Sequence, residues 1–228
     1  EIAKSVMDSG NLLKFEMLHR RKDDSTFWGE ISLNAYQLGD EMVIQANISD
    51  ITERKSAISQ LEYLSMHDQL TGLYNRNFFD IELERLSEQK AYPITFISCD
   101  VDGLKLINDS LGHETGDQIL KKCAAVVSAS LRSNDKLARV GGDEFCVIMP
   151  NTSREAGEEI ARRIKNNIKV YNKQERELPL GLSLGLATAE HEGMQFKDLF
   201  RQADDRMYRE KLNHSESVRN RVIEGLLN

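Results

Sequence analysis

No apolar run in this chain is long enough to cross a bilayer, and no leader pattern opens it. An excess of basic residues is also missing: 30 Lys and Arg face 37 Asp and Glu, a net charge of −7. That balance argues against a general nucleic-acid surface or an anionic membrane surface. Cysteine is scarce, and Cys99, Cys123 and Cys146 all lie in apolar runs with no CxxC pair. An odd count without a spacing pattern gives no disulfide framework. The three read as small buried hydrophobes in a reducing compartment, and the expected location is the cytoplasm. The chain opens on Glu1 rather than Met. It is therefore expected to be a piece of a longer protein, one that could carry a membrane anchor elsewhere. What is present is 228 residues at 40% hydrophobic content, enough for one or two domains with a core.

The stretch Leu137 to Met149, LARVGGDEFCVIM, sets two short apolar runs around Gly141-Gly142-Asp143-Glu144. Val, Ile and Phe suit strands, and paired glycines can supply the positive φ of a tight turn. The stretch therefore predicts an antiparallel hairpin with two adjacent carboxylates at its tip. Alone, such a tip is better read as a solvated polar turn. A second acidic cluster reverses that preference. Asp100-Val101-Asp102 ends the run Tyr92 to Cys99, which reads as a buried strand with Pro93 at its entrance, where no ladder donor is needed. If that strand lies beside the hairpin, Asp100 faces Asp143 and Glu144. Three convergent carboxylates make a hard-oxygen site suited to Mg²⁺ or Mn²⁺. Two such ions can activate an attacking oxygen and stabilise a leaving one in phosphoryl or nucleotidyl transfer.

GGDEF at 141–145 and DVDGLKLINDSLGHETGD at 100–117 resemble the GGDEF family of diguanylate cyclases. DQLTGLYNR at 68–76 and ADDRMYREK at 203–211 fit the same family, and the resemblance covers residues 62 to 213. Separated blocks in the right order are far more specific than one motif. The resemblance implies an enzyme that condenses two GTP into cyclic di-GMP and releases pyrophosphate. RRKDDSTFWGEISL, followed by ISDITERK, resembles the C-terminal half of a PAS sensor domain. The implied division is a partial PAS segment at 1–51, a linker helix at 52–66, the cyclase domain at 67–213 and a helical tail at 214–228.

Along the chain, a short helical start precedes strands at 12–18, 27–35 and 42–48. Trp28 reads as a packed strand residue that could alternatively touch a ligand. Ile51, Ile58, Leu61 and Leu64 give the linker helix about one heptad of apolar seam, which fits either an amphipathic helix on its own domain or a parallel two-stranded contact. Asn75 opens a helix to Ser87 with Phe79, Leu83 and Leu86 inward, and Arg76 is placed to tie this entrance to the acidic face. Leu104 to Leu111 is a short helix closed by Gly112, and Thr115 or Gly116 starts a longer one. Thr152 and Glu155 form a capping box for a helix to Val170. Leu180 to Thr188 is a strand, and Phe196 to Lys211 is the last helix of the domain. In the tail, Val218, Val222, Ile223, Leu226 and Leu227 suggest a further helix. The expected class is α+β, a palm-like, ferredoxin-related βααββαβ domain whose sheet is covered by helices on one side.

The resemblance also implies roles. Asp100, with the Val101 carbonyl, would hold two Mg²⁺ or Mn²⁺ ions per active site; Asp143 and Glu144 would add metal contacts and carry the catalysis. Gly141 and Gly142 would let the nucleotide approach the backbone. Lys105 and Lys211 would meet the β- and γ-phosphates. Asn108 and Asp117 would read guanine, whose N1–H and N2–H₂ suit an acceptor-only carboxylate that adenine leaves unpaired. His113 is structural. Arg132 and Asp135, an RxxD ending six residues before Gly141, match an inhibitory product site, with Arg163 as a second arginine. The family often continues with Gly-Arg-Asn after the last lysine; here His214-Ser215-Glu216 stands there, which weakens the expectation for GTP affinity. Leu104 stands where an aromatic is common. The implied partners are GTP, cyclic di-GMP and a second copy of the chain, with no nucleic acid and no membrane contact in this segment. The rival reading is a catalytically silent GGDEF domain that binds GTP or cyclic di-GMP; a general purine cyclase or polymerase palm is disfavoured by the guanine-reading pair.

Overall fold

A computed structural model describes residues 13–175 and 178–226, the last helix with side chains to residue 213. The short helical start expected before Leu13 and the apolar side chains of the tail lie outside the described residues. The chain divides into two compact units between Tyr63 and Leu64.

In the first unit, β1 (Leu13–Arg20), β2 (Thr26–Leu38) and β3 (Glu41–Asp50) form an antiparallel meander in the order β1-β2-β3. The charged turn after β1 closes through Ser25, whose N–H reaches the Asp23 carboxylate at 3.1 Å. α1 (Thr52–Met66) follows at once. Ile51 is buried and donates its N–H to Trp28 O at 2.8 Å. Arg54 bridges Glu16 and Glu30 at 3.1 and 3.0 Å. Trp28 is less packed than expected, 38% exposed beneath the Lys55 ammonium. No residue of α1 is buried, and Ile58, Leu61 and Leu64 are exposed.

The second unit runs α2 (Arg76–Glu88), β4 (Ile94–Val101), α3 (Leu104–Leu111), α4 (His113–Ser128), β5 (Lys136–Arg139), β6 (Glu144–Pro150), α5 (Arg154–Gln174), β7 (Leu182–Ala189), α6 (Phe196–Leu226). The sheet order is β5-β6-β4-β7, and every neighbouring pair is antiparallel. This is the expected α+β arrangement. All eight residues of β4 are buried, because β4 is central and parity sends its side chains to two cores. Ile97, Cys99 and Val101 pack with Ile119, Leu120 and Cys123 of α4 and with Ile160 and Ile164 of α5. Ile94 and Phe96 pack with Phe79 and Leu83 of α2 and with Leu199 and Ala203 of α6. The sheet is thus covered on both faces, not one. Burial pushes the Cys123 thiol up to about 12 and raises Cys99 and Cys146 as well, so all three are inert core residues.

Local boundaries differ where a neighbouring group takes over a role. Ser153, not Thr152, caps α5 by accepting from Ala156 N, because the Thr152 hydroxyl is bound to Pro150 O at 3.1 Å. α4 starts at His113, since Gly112 at φ +86° both closes α3 and opens α4. Leu180 precedes β7 rather than opening it; the Asn172 side chain binds its N–H and its carbonyl, both at 2.8 Å. α5 continues past Val170 to Gln174. α6 runs unbroken past Lys211 through the tail, where no Gly or Pro interrupts residues 212–224.

Candidate active site

The end of β4 and the β5–β6 turn meet as the spacing predicts. Asp100 and Glu144 are direct partners across β4 and β6, so both side chains leave on the face of α2 and α6. Val101 N–H donates to Asp143 O at 2.9 Å, which seats the turn over the strand end. Val140 and Gly141 N–H both reach Glu144 O, at 2.9 and 3.3 Å. The turn does this without left-handed backbone: neither Gly141 nor Gly142 has a positive φ. Four residues lie between the strands, and a loop of that length can turn without the left-handed residues of the two-residue hairpin. A Cβ on Gly141 would stand 2.4 Å from Glu144 Oε2, so the Glu144 carboxylate would have to shift to admit one. Only Gly142 is open to an approaching ligand, with nothing within 4 Å of its Cβ position.

The three carboxylates do not close into a ready cage. Among the described residues, no three His, Cys, Asp or Glu side chains converge closely enough to hold an ion. Glu144 folds back over Gly141, and a lysine stands between the other two. Lys211 Nζ lies 2.6 Å from Asp100 Oδ1 and 4.0 Å from Asp143 Oδ2. The contact with Asp100 is a close ion pair at a buried oxygen. Burial pushes the Asp100 carboxyl up to about 6, against the pull of Lys211 and with the charges of Asp143 and Asp102 adding to the rise. Burial works against the Lys211 ammonium too, yet Asp100, Asp143 and Asp102 raise its pKa. Asp102 is committed elsewhere: its Oδ1 accepts from Ser183 Oγ at 2.7 Å and its N–H reaches Gly181 O.

Lys211 arrives through the seating of α6. A Cβ on Gly185 would stand 2.0 Å from Ala203 O and 2.2 Å from Met207 N, so the helix backbone rests directly on β7 there. Beside it, Ser98 Oγ donates to Asp204 at 3.1 Å. One turn after Met207, the helix presents Lys211 over Asp100.

A second support was not legible as a motif. Both Nη1 contacts of Arg139 to the Asp68 carboxylate are 3.1 Å, and its Nη2 donates to Gly142 O at 2.7 Å. Arg139, at the end of β5, thereby ties the entrance loop to the acidic turn. Burial opposes the Asp68 charge, but two bonds from Thr71 and the Arg139 pair hold its carboxyl below the usual range. The tie expected of Arg76 is not made; Arg76 pairs with Asp80 one turn along α2.

Asn108 lies on α3 with its Oδ1 buried and without a hydrogen-bond partner, over Gly116, where a Cβ would come within 1.9 Å. Gly116 thus leaves room for the Asn108 amide, a role its place in the GHETGD word only hints at. Asp117 follows it, exposed at the start of α4, and Lys105 is exposed in the first turn of α3. His113 is exposed as the first residue of α4.

Arg132 and Asp135 line a separate groove of about 550 Å³, with Glu82, Arg85 and Lys136 among its walls. Asp135 accepts from Arg132 N at 2.8 Å, which closes the RSND turn. Arg163 does not line this groove; its guanidinium donates to Ser130 O, just past the end of α4, at 2.9 Å.

The sequence profile of the family described as "Diguanylate cyclase, GGDEF domain" matches residues 65–217. The chain belongs to the GGDEF family of diguanylate cyclases. It is 35% identical over 187 residues to "Probable diguanylate cyclase DgcE" of Escherichia coli K12, covering 79% of this chain and 16% of that protein. It is 31% identical over 212 residues to diguanylate cyclase DgcM of the same strain, covering 90% of this chain and 50% of that protein. The chain thus spans half or less of the length of these two relatives. Among solved structures it resembles the coiled coil and GGDEF domain of DgcB from Caulobacter crescentus, determined in complex with c-di-GMP. There the TM-score is 0.65 at 25% identity, with 72% of this chain and 89% of that chain covered. No described helix is long and apolar enough to cross a membrane.

Proposed function

We propose that this chain is an active, cytoplasmic diguanylate cyclase that condenses two GTP into cyclic di-GMP with release of two pyrophosphates. The observation that carries the reading is the pair Asp100 and Asp143, facing one point across Lys211, with Asp100 Oδ1 buried against the ammonium at 2.6 Å. Mg²⁺ and Mn²⁺ fit that donor set, since they take one or two carboxylates and complete their shell with water and substrate phosphates. Asp100, the Val101 carbonyl, Asp143 and Glu144 would hold two such ions. When bound, they would lower the pKa of the attacking hydroxyl and neutralise charge at the α-phosphate.

The chain's own groups divide the remaining work. Asp143 accepts the proton of the 3′-hydroxyl. Gly142 leaves the turn open for the nucleotide. Lys105 and Lys211 meet the β- and γ-phosphates as point charges. Asn108 and Asp117 read the guanine edge, and the buried Asn108 oxygen gains its missing partner there. One domain offers one nucleotide, so the reaction takes two domains face to face, with α1 setting their distance. Residues 1–51 serve as the downstream part of a PAS sensor upstream of the cyclase at 67–213. Product bound at Arg132 and Asp135, with Arg163 swung from Ser130, slows turnover.

Side-by-side incubation with GTP and with ATP in the presence of Mg²⁺, followed by chromatography, tests the reading. Cyclic di-GMP from GTP and no cyclic dinucleotide from ATP is the expected result. GTP binding without any dinucleotide would instead identify a silent regulatory domain.

A further inference from the structure

Lys211 stands on ground that a divalent cation would need. Its ammonium contacts the two carboxylates that would hold the ion, at 2.6 Å from Asp100 and 4.0 Å from Asp143. The two partners differ in freedom. The Asp100 side chain is 6% exposed and fixed in a central strand, while the Lys211 side chain is 35% exposed at the end of a flexible stem. Charge and a hydrogen bond both favour the ionised pair, so an incoming cation has to compete with the ammonium for Asp100. A divalent ion would sit about 2.1 Å from such an oxygen, and two cations so close would repel strongly in a partly dry site.

We propose that Lys211 is a resident counter-ion of Asp100, which the divalent cation must displace and which the nucleotide triphosphate draws away. Cation and nucleotide then load cooperatively: the triphosphate gives the ammonium a new anion, and the vacated carboxylates accept the ion. Linkage makes the effect reciprocal, so bound cation also raises nucleotide affinity. The inference rests on the cyclase reading in taking Asp100 and Asp143 as the metal pair.

Mn²⁺ titration of the purified chain, followed by the electron paramagnetic resonance of free Mn²⁺, tests this without turnover. In the absence of nucleotide, Lys211→Gln should bind Mn²⁺ about five-fold more tightly than wild type, the scale of one partly exposed ion pair. Adding a GTP analogue that resists cleavage at the α–β bridge should raise the Mn²⁺ affinity of wild type more than that of Lys211→Gln. Equal or weaker binding by nucleotide-free Lys211→Gln would overturn the counter-ion role alone. Asp100→Asn in the Lys211→Gln background should abolish the gain. If Mn²⁺ binding ignored Asp100 in every form, with or without nucleotide, the metal pair and the counter-ion role would fall together.

Discussion

At the scale of single residues, the most informative group is Asp100. Its carboxyl is ordinarily half-ionised near 3.8, and in the fold burial lifts that point to about 6. The folded chain therefore holds this proton more tightly than the unfolded chain. The metal-free fold should lose stability as pH rises through that window, and the loss persists above it. Asp100→Asn removes the charge but keeps the shape. In chelator, the variant should be more stable than wild type above the window by about 1–2 kcal/mol, and equal to it below, as read by urea denaturation. A variant less stable than wild type at neutral pH would mean that the Lys211 pair outweighs burial. The meeting of Asp100 with the turn at Asp143 and Glu144 was legible because each sits in a short contiguous word at the end of an apolar run. Asp68 and Arg139 were not, for they lie 71 residues apart and each looks like an ordinary surface charge in its own segment. The turn glycines suggest a positive φ that neither adopts, and a Cβ on Gly141 would instead require the Glu144 carboxylate to shift.

At the scale of elements, the docking of α6 on β7 decides whether Lys211 reaches the acidic turn. Gly185→Ala would drive a methyl group into the helix backbone, which cannot yield as a side chain can. The expected cost is about 3 kcal/mol, with a fall in cyclase activity larger than the loss of folded protein explains. Thermal melting and specific activity measured together check this, and an unchanged melting temperature would contradict the close approach. The burial of β4 was legible, since Tyr92 to Cys99 reads as a buried strand, but the covering of both faces was not, because Thr95, Ser98 and Asp100 put polar residues on one of them. Arg132→Ala tests the groove beside β5. It should keep initial turnover and lose the slowing that follows product accumulation, together with most cyclic di-GMP binding by calorimetry. Slowing as strong as in wild type would remove Arg132 from that role.

At the scale of the molecule, a small antiparallel sheet and a helix with exposed Ile58, Leu61 and Leu64 precede the GGDEF domain in sequence. The GGDEF domain was legible because the motif words mark it. The partners of α1 were not, since one heptad is compatible with both a lone amphipathic helix and a paired one. If two domains must face each other, specific activity should rise with protein concentration until dimers saturate. A flat dependence in a chain shown by sedimentation to be monomeric would contradict the two-domain reaction. The most direct measurement of the central claim compares wild type with Asp143→Asn, each with GTP and Mg²⁺, and counts both products. The account predicts two pyrophosphates for every cyclic di-GMP from wild type, and loss of nearly all turnover by a folded Asp143→Asn that still binds GTP. Pyrophosphate release without cyclic di-GMP, or an Asp143→Asn variant as active as wild type, would contradict it.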